Sequence, residues 1–157
     1  MKRSDSLFAI SRRHFCSGLV AGVVVAGCGG SSDTPTADGS VGANGVCPST
    51  GALDVGAPST FMMNTPVYFA SGFLFVVRDA NGLYALTARC PHQGFTTRVQ
   101  GSDFLCPRHG SLFSFDGAVL TGPATMPLVH YAMCTLSSGN VGVFMSEIVA
   151  DTQRLAA

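Results

Sequence analysis

Two short segments of this 157-residue chain carry side chains able to bind a soft metal: Cys90-Pro91-His92-Gln93-Gly94 and Cys106-Pro107-Arg108-His109-Gly110. Each offers one thiolate and one imidazole. Each has a proline beside its cysteine to stiffen the backbone and a glycine after its histidine to let the chain turn sharply. Thirteen residues separate His92 from Cys106. Four donors on two matched loops make metal binding the chemistry to expect. Zinc takes such a Cys2His2 set, but its usual spacing groups like with like, Cys-x2–4-Cys and His-x3–5-His. Here each loop mixes the two types.

The elements that must position these loops read as β. Residues 72–79, Gly-Phe-Leu-Phe-Val-Val-Arg-Asp, are a run of strand formers. Ala80-Asn81-Gly82 supplies a turn, and 83–88 supplies the return strand, which delivers the chain to Cys90. Phe113-Ser114-Phe115, Asp116-Gly117 and Ala118-Val119-Leu120 repeat the hairpin pattern just after the second loop. Segments 128–136 and 141–145 are two further strands, joined by Ser137-Ser138-Gly139-Asn140. Sustained helical periodicity is absent outside the N-terminal leader. His130 stands alone on a strand, where a hydrogen-bonded structural residue is the commoner role. Met62-Met63 is expected at the core or rim, and the last dozen residues are expected to fray.

The pattern Cys-x-His, spacer, Cys-x-x-His-Gly-Ser resembles the Rieske iron–sulfur family, and Leu120-Thr121-Gly122-Pro123-Ala124 resembles its proline-containing third loop. The resemblance covers about residues 66–145. It implies an all-β fold, an antiparallel β-sandwich with a small cluster-binding subdomain of two ligand loops plus a proline loop. It implies a [2Fe–2S] cluster with Cys90 and Cys106 on the inner iron and His92 and His109 on the outer one. Ser111 would donate a hydrogen bond to a bridging sulfide. Phe113 stands where high-potential members carry a tyrosine, and Phe95 and Arg108 stand where they carry a disulfide between the loops. These departures imply a potential in the lower or middle part of the family range, which runs from about −150 to +300 mV. The imidazoles imply a potential that depends on pH above neutrality.

Residues 1–28 read as an export leader. Lys2 and Arg3 open it, Ser11-Arg12-Arg13-His14-Phe15 resembles a twin-arginine signal, and the apolar run 18–27 follows. A spanning helix needs about 20 apolar residues, more than this run holds. Val25-Ala26-Gly27-Cys28 resembles a lipoprotein box, which would make Cys28 a lipidation site; ordinary cleavage nearby is the other reading. Residues 29–46 are a Gly/Ser/Thr-rich tether that would span roughly 20–25 Å as a flexible coil. The folded domain is expected over 47–150, with 151–157 a C-terminal tail.

Cysteine accounting follows from these assignments. Cys16 leaves with the leader, Cys28 is the lipid candidate, and Cys90 and Cys106 are ligands. Cys47 and Cys134 remain and are expected to form a disulfide suited to an oxidising compartment, joining the start of the domain to a late strand; two buried thiols are the alternative. Charge excludes nucleic-acid binding: one Lys and eight Arg face nine acidic residues. From Cys28 onward five Arg face eight acidic residues, a formal charge of −3. At 11% charged residues the chain is too apolar for general disorder. The expectation is a one-electron carrier, exported and held at the periplasmic membrane surface by an N-terminal lipid, working between redox proteins such as a cytochrome. The alternatives are the small subunit of a periplasmic oxidoreductase with a large catalytic chain, and a zinc-stabilised binding module. A stand-alone enzyme is not expected.

Overall fold

The computed structural model describes residues 47 and 50–157. The leader, the tether and Cys28 lie outside the described residues. Ten strands follow in order: β1 (Leu53–Gly56), β2 (Val67–Phe69), β3 (Leu74–Asp79), β4 (Gly82–Thr87), β5 (Arg98–Gln100), β6 (Asp103–Leu105), β7 (Leu112–Ser114), β8 (Val119–Thr121), β9 (His130–Thr135) and β10 (Val141–Val149). One 3-10 turn, Pro58–Thr60, is the helical element among the described residues. None of the described helices is long and apolar enough to cross a membrane.

The strands form two antiparallel sheets. The larger runs β1-β10-β9-β4-β3-β2 and the smaller runs β5-β6-β7-β8. The smaller sheet and its loops are inserted between β4 and β9, which are hydrogen-bonded neighbours in the larger one. This is the all-β architecture expected, with the small sheet as the loop-bearing subdomain.

Strand periodicity explains how the sheets meet. In β3, Phe75 and Val77 point to one face, and Leu74 and Val76 point to the other. In β4, Tyr84 and Leu86 share the first face, and Leu83 and Ala85 share the second. Both faces are buried, so these strands read as continuous apolar runs. The first face packs on the small sheet, where Phe75 stacks on Phe104 at 4.4 Å between ring centres. The same cluster contains Cys90, Cys106, Phe113 and Ala124, so the metal-binding loops sit directly on the core.

Two expectations change. β10 continues to Val149, past the expected 145, through an irregularity between Phe144 and Ile148. The C-terminal tail does not fray. The Leu83 N–H donates to the Leu155 carbonyl at 2.9 Å, and the Leu155 N–H returns a bond at 2.8 Å. Gly82 permits this approach: its φ is +136°, and a Cβ there would lie 2.4 Å from the Leu155 oxygen. Arg154 pairs with Asp79 at 2.7 Å and lies over the Tyr84 ring at 4.0 Å. Cys47 and Cys134 form a disulfide with Cα atoms 5.1 Å apart, bonding the start of the domain to β9.

Candidate metal centre

The two metal-binding loops share one backbone design. In the first, the Cys90 N–H donates to the Phe95 carbonyl (2.8 Å), and the Gly94 N–H donates to the Cys90 carbonyl (2.7 Å). In the second, Cys106 donates to Ser111 (2.8 Å) and Gly110 donates to Cys106 (3.0 Å). Each cysteine thus bonds five residues ahead, and each glycine closes back on its cysteine four residues behind. The glycines have φ of +74° and +82°, a region that disfavours other residues. The first loop leaves β4 and the second joins β6 to β7, so the two sheets set them side by side.

This places the four expected donors as two unlike pairs. Cys90 and Cys106 are free thiols, each 1% exposed. Burial pushes the Cys90 thiol up and Cys106 adds to that, against the His92 backbone N–H and the Ser111 hydroxyl, which pull it down. His92 and His109 are exposed, with their Nδ1 atoms facing each other at 3.1 Å and their rings at 77°. That separation is close to one edge of a tetrahedron with metal bonds of about 2 Å. Among the described residues no three His, Cys, Asp or Glu side chains converge on one point. A two-iron group takes such donors as pairs, two thiolates on one iron and two imidazoles on the other. Burial disfavours the Cys90 thiolate without a cation, and a metal would offset that cost. The residues present therefore fit a two-metal group.

The third loop closes the site from the side. Its Ala124 N–H donates to Ser111 Oγ at 3.0 Å, and both residues are buried. Phe113 is fully buried opposite Phe104 and presents no hydroxyl to the loops.

Sequence reasoning missed the contacts that brace this end. The Arg108 guanidinium lies over the Phe95 ring at 5.1 Å, and Phe95 stands edge-on to His109 at 6.4 Å. Arg89 lies over Phe73 at 3.9 Å, with a long contact of 3.5 Å to the Gly94 carbonyl. Arginines directly before Cys90 and His109 were the available signal; their aromatic partners are remote in sequence. His130 is brought to neither pair. Its Nε2–H donates to the Asp116 carbonyl (2.8 Å), its ring stacks on Tyr84, and burial lowers its pKa. It is the structural histidine expected. Met62 and Met63 are 68% and 53% exposed, hence on the rim.

A small all-β domain presenting buried cysteines and exposed histidines from twin loops defines an iron–sulfur class. The family model of the Rieske [2Fe-2S] domain matches residues 50–132, and the chain belongs to that family. Its cofactor is a Rieske-type [2Fe–2S] cluster. The chain is 37% identical over 71 residues to the cytochrome b6-f complex iron-sulfur subunit of Synechococcus sp. (strain WH7803), covering 44% of this chain and 38% of that protein. The subunit of the same name from Chlorobaculum thiosulfatiphilum is 32% identical over 60 residues, 37% of this chain and 33% of its own. The chain thus spans under half the length of the curated relatives it matches. Among solved structures, the plasma membrane Rieske protein of Synechocystis PCC 6803 superposes with a TM-score of 0.48 and 29% identity, covering 58% of this chain and 97% of that one.

Proposed function

We propose that this chain is a one-electron carrier acting on the periplasmic side of a bacterial membrane. The observation that carries the reading is the split of the donors into a buried sulfur pair and an exposed imidazole pair 3.1 Å apart. Cys90 and Cys106 hold the inner iron, and His92 and His109 hold the outer one. The bound cluster supplies a one-electron couple with its added electron favoured on the imidazole side.

The chain's own residues do the rest. The exposed rings of His92 and His109 carry the redox site to the surface, where a partner reaches it without entering the fold. Ser111 Oγ accepts the Ala124 N–H, which leaves its own proton to be given to sulfur. That bond stabilises added negative charge and raises the potential. Phe113 withholds a second such bond, so the potential belongs in the lower or middle part of the family range. The leader 1–28 directs export as a twin-arginine signal, Cys28 carries the lipid, and residues 29–46 let the domain swing between partners.

A second reading has its own support: the relatives named above are subunits of a cytochrome complex by name. In that reading the chain is the small Rieske subunit of a periplasmic assembly with a separate large chain. EPR of the dithionite-reduced, natively exported protein tests the first reading. A rhombic signal of mixed Cys/His ligation is expected; EPR silence together with bound zinc would overturn it. Co-purification with a large redox subunit would move the assignment to the second.

A further inference from the structure

The arginines of this domain fall into two groups. Residues 50–157 hold five arginines and six carboxylates. Arg78 and Arg154 lie away from the ligand loops, where Arg154 pairs with Asp79 and Arg78 donates to the Ala157 carbonyl at 2.7 Å. Arg89, Arg98 and Arg108 sit around the loops, and all three are exposed. Arg89 precedes Cys90 and Arg108 precedes His109. Arg98 pairs across β5 and β6 with Leu105, the residue before Cys106.

The small sheet keeps its own carboxylates at the opposite end. Asp103 pairs with Ser114, the far end of the register that places Leu105 opposite Leu112. Asp116 lies in the turn beyond, bonded to the Ser114 hydroxyl. Arg154–Asp79 is the one ion pair among the described residues, so the three loop-end guanidiniums face solvent without a carboxylate. Two of them rest on the Phe73 and Phe95 rings, which restrains their position and keeps their charge available.

We propose that the ligand-loop end is the docking face for a redox protein whose own electron-exchange edge is ringed by carboxylates. The proposal rests on the electron-transfer reading above and adds the chemistry of the partner. Screening at physiological salt weakens charges beyond about 8 Å, so the three guanidiniums nearest the loops weigh most in what a partner meets. Opposed charge steers the encounter and sets its orientation, and His92, His109 and Phe95 provide the contact.

The test uses the full exported chain with two forms of one acceptor: mitochondrial cytochrome c, whose rim is basic, and the same protein with its lysines succinylated, whose rim is acidic. Binding is followed by surface plasmon resonance and electron transfer by stopped flow, from 20 to 500 mM salt. Affinity and rate with the succinylated form should fall by about tenfold or more across that range. Arg98→Glu should flatten that dependence and leave the EPR signal of the reduced protein unchanged. A response to the succinylated form that is flat or rises with salt overturns the proposal, as does an Arg98→Glu variant that behaves like the parent. Retention on phosphatidylglycerol vesicles, with neither cytochrome salt-dependent, would assign the face to anionic lipid and overturn it too. If the EPR signal is absent, the electron-transfer reading fails, while the binding arm still reports on the face.

Discussion

At one end of this domain a disulfide joins Cys47 to Cys134, Arg154 pairs with Asp79, and the C-terminal tail closes on β4. At the other end two free thiols, two imidazoles and three guanidiniums are held by backbone turns and ring contacts. The first end is stapled by bonds between remote parts of the chain, and those bonds constrain the unfolded state or fix the tail. The second is kept open, because its donors must meet a cofactor. Stability and function are therefore separable: damage at one end should leave the other's signature intact.

The sharpest way to test that separation is at the ligands. Cys106→Ser should abolish the rhombic EPR signal entirely, while far-UV circular dichroism retains the β spectrum and unfolding stays cooperative. A variant that loses both would mean that the stapled end cannot hold the fold without the cofactor. The reverse experiment is Cys134→Ala. Opening a link of sequence separation 87 should cost about 4–5 kcal/mol in the chain-entropy model, read from urea midpoints without reductant. The EPR signal of the exported variant should stay that of the parent. A changed signal would show that the two ends are coupled through β9.

How much of this was readable in the sequence depended on where the partners lay. β3 and β4 were readable because both faces are buried, giving unbroken apolar runs. β5 and β6 were not, since Arg98-Val99-Gln100 is exposed throughout and Asp103-Phe104-Leu105 has one buried residue. Both are three-residue strands defined by their neighbours. β1 and β2 were missed for the same reason. The metal-binding loops were readable because cysteine, proline, histidine and glycine state their roles locally. The ring contacts of Arg89 and Arg108 were not, because they join loops distant in sequence. The tail looked frayed because Leu155, Arg154 and Ala157 find their partners some 70–80 residues away.

Arg154→Ala probes the stapled end more gently. It removes a partly buried ion pair and the contact over Tyr84, and the expected loss is about 1–2 kcal/mol after discounting for solvent. Hydrogen exchange at the Leu83 and Leu155 amides should speed up in this variant, and the redox spectrum should not move. Unchanged exchange would mean that strand pairing alone holds the tail.

The smallest effect lies where the two sheets meet. His130 on β9 donates to the Asp116 carbonyl in the turn before β8, tying the large sheet to the small one. Burial lowers its pKa from the ordinary 6.5, so the folded state binds its proton less readily than the unfolded state. The sign follows. The stability tied to a neutral His130 is fully present above pH 6.5 and is lost as pH falls from there toward the depressed folded value. Protonation would place a charge on a ring that is 2% exposed and whose Nδ1 has no hydrogen-bond partner. His130→Gln keeps a donor for Asp116 but cannot titrate in this range. Urea midpoints measured from pH 8 to pH 5 should therefore fall more steeply in the parent than in the variant. Equal slopes would mean that the join between the sheets carries no titrating histidine.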